Sequence, residues 1–259
     1  MKPTNFNVIC GLLSVLFGSS CALGGEAITS HLVIWQIIGF GQGGGGLAIS
    51  PNLEVVATSF GFGGEMVEGE PVQMSLWDNL GQELSSVVVT SNSPGFNGTH
   101  YETIQPIVLN AGETYYLCSC GTDSGIWAGE VIAANYHNGE FTVARELNYI
   151  GMALATNTAG VFPLNVSTGA NLAVGANLQF YPAPLIVVEG LKARNGVVQL
   201  DFNMWGRQPT SFTLLESAQP GGSWQTNTQA QLVTNVVGVS YSFSSTAVGA
   251  MRFYKVQSP

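Results

Sequence analysis

Asp123, Trp127, Tyr136 and His137 share one glycine-rich segment, and their types are those a sugar-binding surface uses. An exposed indole or phenol ring stacks on the apolar face of a pyranose, while a carboxylate and an imidazole hydrogen-bond its hydroxyls. Loops carried on a rigid β scaffold are where such groups usually act. The structural reading of the same segment is that Trp127 closes the edge of a core, as large aromatics commonly do. Trp35, Trp77, Trp205 and Trp224 read as core or strand-edge residues.

Catalytic chemistry has less to draw on. Acyl transfer needs a Ser or Cys nucleophile, a base within reach and an oxyanion hole. No Gly-x-Ser-x-Gly elbow occurs, and His31, His100 and His137 are the only imidazoles. His31 lies in an apolar run and reads as a core or interface residue. His100 sits in a glycine-bounded turn beside Tyr101, where solvation is expected. Glycoside hydrolysis needs two carboxylates at a fixed separation; no local motif singles out a pair among the 16 Asp and Glu. The expectation is a protein that is not an enzyme.

Metal and phosphate chemistry fare no better. Glu65, Glu68 and Glu70 form one acidic loop, read as a solvated face or, in the sharper reading, as a calcium site, since hard cations take oxygen ligands from such loops. No Asp-x-Asp-x-Asp run accompanies them, and no other cofactor is expected. The glycine run Gly41 to Gly46 lacks the Gly-Lys-Ser/Thr ending and following helix of a phosphate loop, and reads as a hinge. Cys118 and Cys120, two apart on a strand, point to one face. They read as small buried residues or a strained C-x-C bridge; zinc is disfavoured without further ligands at suitable spacing.

Only 9% of residues are charged, against about a quarter in ordinary soluble domains. Ser, Thr, Asn, Gln and Gly must therefore supply most of the wet surface. Seven Lys and Arg in a chain of net charge −9 cannot build a phosphate-neutralising patch, which argues against nucleic acid and anionic lipid as partners. Extracellular polysaccharide or surface proteins remain.

These groups need a scaffold, and the pattern predicts an all-β one. Residues 1–22 read as a signal peptide: Lys2, an apolar run from Val8 to Phe17, and small residues at Ser20-Cys21-Ala22. That run is too short to span a bilayer as a helix, so no transmembrane segment is expected in the mature chain. A lipoprotein anchored through Cys21 is the alternative, although Gly18 stands where a lipobox prefers Leu. Residues 23–45 hold an opening strand (Ser30 to Phe40) and the glycine hinge. Residues 46–181 carry strands every 8 to 15 residues, bounded by Gly, Pro, Asn and Ser, with no helical period. Val72, Met74 and Leu76 alternate with Gln73, Ser75 and Trp77, giving one dry and one wetter face, before an Asp78-Asn79-Leu80-Gly81 turn. Gly121 to Gly139 reads as looser. Pro182-Ala183-Pro184 marks a linker over 182–185, because proline denies strand hydrogen bonds. Residues 186–259 repeat the all-β style at the size of a fibronectin-like or immunoglobulin-like sandwich.

One stretch organises the first domain. Leu109, Gly112 and Tyr115 have the L-x-x-G-x-x-Y spacing of a tyrosine corner, in which a Tyr hydroxyl bonds to backbone a few residues upstream. The whole is therefore expected to be two antiparallel β-sandwich domains, jelly-roll or immunoglobulin/fibronectin-like.

Phe60-Gly61, the Leu76-Trp77-Asp78-Asn79-Leu80-Gly81 hairpin, the Ala111-Gly112-Glu113-Thr114-Tyr115 corner and Gly175-Ala176-Asn177-Leu178-Gln179-Phe180 together resemble an exported bacterial β-sandwich module of uncharacterised function. That module is common in bacterial surface and sorting-signal proteins. Phe212 to Ser217, then Trp224, then Arg252-Phe253-Tyr254-Lys255-Val256 are similar to a fibronectin-like C-terminal module of planctomycete and verrucomicrobial secreted proteins. The resemblance implies a secreted or cell-surface, non-catalytic protein with a structural or adhesive role. The chain ends shortly after Val256 with no apolar anchor helix, so membrane sorting is not expected. The alternative is carbohydrate binding through the loop aromatics around Trp127 and Tyr136.

Overall fold

The computed structural model describes residues 25–30, 37–40, 44–63, 71–96, 98–121, 127–132, 142–155, 162–163, 165–167, 172–173, 176–209, 211–246 and 252–258. Among them every regular element is a strand and every strand pairing is antiparallel. Among the described residues, no helix is long and apolar enough to cross a membrane. The chain divides into two compact units, Leu23–Ala183 and one containing Pro184–Pro259.

In the first unit one sheet runs in the order Gly25–Glu26, Ala176–Pro182, Val55–Gly63, Thr99–Leu109, Gly95–Phe96. A second runs Asn165–Ser167, Leu147–Ala155, Gly44–Pro51, Tyr115–Gly121, Val72–Asp78, Glu83–Val89. Alternate residues of a strand face opposite ways, so each sheet offers one apolar face. Phe60, Phe62, Leu178 and Phe180 from the first meet Leu47, Ile49, Met74 and Leu117 from the second in one buried core. Each such side chain contributes about 1.5–3 kcal/mol on burial.

The second face of Val72–Asp78 is drier than its sequence suggests. Ser75 and Trp77 are buried as well, and Phe162 meets Trp77 edge-on with ring centroids 5.9 Å apart. The glycine run is corrected too. Gly44, Gly45 and Gly46 are not hinge but the first residues of the Gly44–Pro51 strand, between Leu147–Ala155 and Tyr115–Gly121. The reason is close approach: a Cβ on Gly46 would fall 1.8 Å from the Leu117 carbonyl oxygen. Gly25–Glu26 likewise pairs with Ala176–Pro182, so sheet begins well before residue 46.

Two further differences concern the minor sheets. The Ser30 to Phe40 strand is observed as Ile28–Ser30, paired with Thr142–Val143, and as Ile37–Phe40. Trp127–Ile132, expected to be irregular, is a strand between Ile37–Phe40 and Leu172–Ala173.

The second unit has a sheet in the order Leu185–Arg194, Val197–Trp205, Ser240–Thr246, Gln231–Val236, and another in the order Gln225–Thr226, Thr213–Ser217, Phe253–Gln257. Its core centres on Phe202, fully buried, which stacks on Tyr241 at 5.5 Å and meets Phe212 edge-on at 5.2 Å. The first two strands are joined by Asn195-Gly196, both at positive φ (52° and 75°), the two-residue turn that matches the twist of a hairpin.

Candidate functional site

Gly112, at φ +80°, lets the chain turn back after Leu109. Its N–H donates to the Pro51 carbonyl at 2.8 Å, tying the turn to the neighbouring strand. Tyr115 follows, with its ring buried in the core and its hydroxyl accepting the Asn110 N–H at 2.9 Å. Burial raises the Tyr115 phenol above its ordinary value. The Asp78 turn is built the same way: its Oδ1 accepts the N–H groups of Leu80 at 2.9 Å and Gln82 at 2.8 Å.

A polar row crosses the five-stranded sheet. Tyr101 lies directly opposite Gly61, and Gly61 directly opposite Asn177. Cross-strand partners share a face, so the Tyr101 ring lies across Gly61, where an added Cβ would sit 2.4 Å from it. The hydroxyl donates to the carboxylate of Glu26, on the edge strand beyond Ala176–Pro182. Glu26 is 7% exposed, Tyr101 5% and Asn177 fully buried. Burial first, then the hydrogen bond and negative charge of Glu26, push the Tyr101 hydroxyl far above the ordinary phenol range; Thr99 and Asn177 act weakly the other way. A phenol held so tightly protonated cannot serve as a base near neutral pH.

Serine, histidine and a carboxylate also converge, at the end of Thr99–Leu109. Ser93 Oγ donates to Glu102 Oε1 at 2.6 Å and accepts the Thr90 N–H at 2.9 Å. His100, expected to be solvated, is half-buried, and its Nδ1 donates to the Ser93 carbonyl at 2.8 Å. In acyl transfer the imidazole takes the proton of the nucleophilic hydroxyl; here it bonds the backbone instead. The wiring closes the Thr90–Ser93 turn against the Gly95–Phe96 hairpin.

Of the sugar-binding candidates, Trp127 begins a strand and pairs in register with Phe40. Asp123, Tyr136 and His137 lie outside the described residues, as do the signal segment with Cys21, His31, Trp35, Gly41 to Gly43 and Glu65, Glu68 and Glu70. Cys118 is buried; Cys120 is two positions on in the same strand. No cluster of three His, Cys, Asp or Glu suited to a metal ion occurs among the described residues.

In the second unit Glu216 and Tyr254 stand opposite each other on paired strands. Lys255 Nζ lies 5.8 Å from the centre of the Trp224 ring. Asn227 Nδ2 donates to both Glu216 Oε2 and Ser245 Oγ at 2.9 Å, joining strands of the unit's two sheets. Sequence reasoning missed the Glu26–Tyr101 row. The available signal was Gly61 between Phe60 and Phe62 inside a strand, which marks a place where another group comes close. No protein-family model, curated protein or solved structure matches this chain.

Proposed function

We propose that the protein is secreted or held at the cell surface, and that it is a non-catalytic β-sandwich protein with a structural or adhesive role. The observation that carries this reading is where the polar side chains are spent. The Tyr101 hydroxyl is bound to Glu26, the Ser93 hydroxyl to Glu102, His100 to a carbonyl and the Tyr115 hydroxyl to the Asn110 N–H. Each of these contacts fixes a strand or a turn. A low charge content and a surface of amides and hydroxyls suit stable display outside the cell.

The strand counts support two sandwiches. Sheets of five and six strands share the first core, which fits a jelly-roll-like arrangement. Sheets of four and three share the second, the count of an immunoglobulin or fibronectin module.

The test expresses the full chain, with its own N-terminus, in a bacterial host and fractionates the culture. The expected result is a product beginning at Leu23, outside the cytosol, that adheres to cell envelopes or their polysaccharide. An unprocessed chain confined to the cytosol overturns the reading. A glycan array run on the exported product, with and without calcium, separates adhesion from the alternative. Binding of one soluble glycan that is lost in Trp127→Ala would replace the structural role with a carbohydrate-binding one.

A further inference from the structure

We infer that the free edge of the Gln231–Val236 strand is a self-association surface, on which a second copy of this chain adds the same strand antiparallel to its own. The strand ends its sheet: one side pairs with Ser240–Thr246, and among the described residues no strand lies on the other. Such an edge presents unpaired N–H and C=O groups, which natural sheets usually blunt with Lys, Pro, inward charges or bulges. Here the strand reads Gln-Leu-Val-Thr-Asn-Val, with no charge and no proline. Its single register shift falls between Thr234 and Val236, leaving the first four residues regular.

The core beneath is also left uncovered at this edge. Leu232 stands opposite Phe243, and Thr234 opposite Tyr241. Paired residues share a face, so Leu232 points to the side of the buried core yet is 41% exposed. Val233 on the other face is 49% exposed, and Val236 is 55%. The whole strand is exposed while its neighbour is mostly buried. An added strand would satisfy the backbone and cover aliphatic side chains on both faces.

Charge selects the occupant. The chain carries −9 overall, so two copies meeting through their acidic faces repel one another. From Ser217 to Met251 there is no Asp, Glu, Lys, Arg or His, and this edge lies wholly inside that neutral stretch. The opposite edge strand of the same sheet carries Glu189, Lys192 and Arg194. A polysaccharide wants aromatic rings to stack on, and Gln231–Val236 carries none. The strand in hand with matching neutrality, side chains and free edge is this same strand in a second copy. An antiparallel pair about a twofold axis then closes the association at two.

The test is sedimentation velocity of the full chain over a micromolar concentration series. Wild type is expected to pass from one to two copies, with Val233→Lys weakening the association by roughly tenfold or more, since the twofold axis brings the new charges together. Leu191→Lys, at an equally exposed site on the opposite edge strand, is expected to leave it unchanged. Hydrogen exchange on wild type provides a readout that needs no variant: amides of Gln231–Val236 gain protection as concentration rises. A wild type that stays single throughout, a Val233→Lys dimer as tight as wild type, or a dimer whose edge amides exchange freely each overturns the inference. None of these results bears on export or adhesion, so this inference and the proposed function fail separately.

Discussion

The hydroxyl of Tyr115 accepts a 2.9 Å hydrogen bond from the N–H of Asn110, across the turn that Gly112 makes between them. The ring belongs to the core of the first unit, so a single residue joins the packing of the strand to the geometry of the turn. Tyr115→Phe keeps the ring and strands the Asn110 N–H. The expected loss is about 1–2 kcal/mol of unfolding free energy, because a partly buried donor is left unmade. Urea denaturation checks it, with an unchanged slope and a lower midpoint.

Tyr101 and Tyr115 also set an alkaline limit. Both phenols are raised in the folded chain, Tyr101 by burial and Glu26, and Tyr115 chiefly by burial. A group whose folded pKa lies above its unfolded one gives stability that is complete below the unfolded value, here 10.0, and is lost as pH rises beyond it. Stability should therefore be flat with respect to these groups below pH 10 and fall above it. The slope is about 1.4 kcal/mol per pH unit for each tyrosine still protonated. Unfolding measured from pH 8 to pH 11 should show the fall, and Tyr101→Phe should reduce its slope. An equal slope in that variant would place the alkaline sensitivity elsewhere.

The parts of this architecture that depend on local chemistry were legible in the residues. The Leu109–Gly112–Tyr115 corner, the Asp78 turn and most strands of both units follow from short-range spacing, because a turn needs its glycine or Asx residue within a few positions. What was not legible depends on partners far along the chain. The Tyr101–Glu26 contact spans 75 residues. The glycines at 44–46 looked like a hinge because the Leu117 backbone, which forbids a side chain at Gly46, approaches only in the folded sheet. The Asn195-Gly196 hairpin turn, by contrast, is local and is written plainly in the sequence.

Gly46 and Gly196 separate two reasons for glycine. An Ala Cβ at position 46 would meet Leu117 O at 1.8 Å and Cys118 Cα at 2.7 Å, backbone that cannot swing aside. Gly46→Ala is expected to cost about 3–5 kcal/mol or to prevent folding, in line with overpacking against fixed atoms. At position 196 nothing lies within 4 Å, and only the φ of 75° resists a side chain. Gly196→Ala should cost about 1–2 kcal/mol, the left-handed penalty alone. Comparing the two unfolding midpoints tests the distinction, and equal losses would refute it.

Asn227 ties the sheets of the second unit through one nitrogen, which donates to Glu216 and to Ser245, while its Oδ1 accepts the Gln229 N–H at 3.0 Å. Asn227→Ala removes all three bonds and should cost about 1–3 kcal/mol. Asn227→Asp keeps the acceptor toward Gln229 but replaces the donor with a carboxylate facing Glu216. At pH 7 two negative charges then share a partly buried place, so this isosteric change should destabilise more than the truncation. The sign reverses with acid: protonating either carboxylate restores a donor and removes the repulsion, so the variant should recover relative to Asn227→Ala as pH falls toward 4. Urea unfolding of both variants at pH 7 and pH 4 reads the crossover, and an Asp variant as stable as wild type at pH 7 would show that Asn227 acts by filling space rather than by donating.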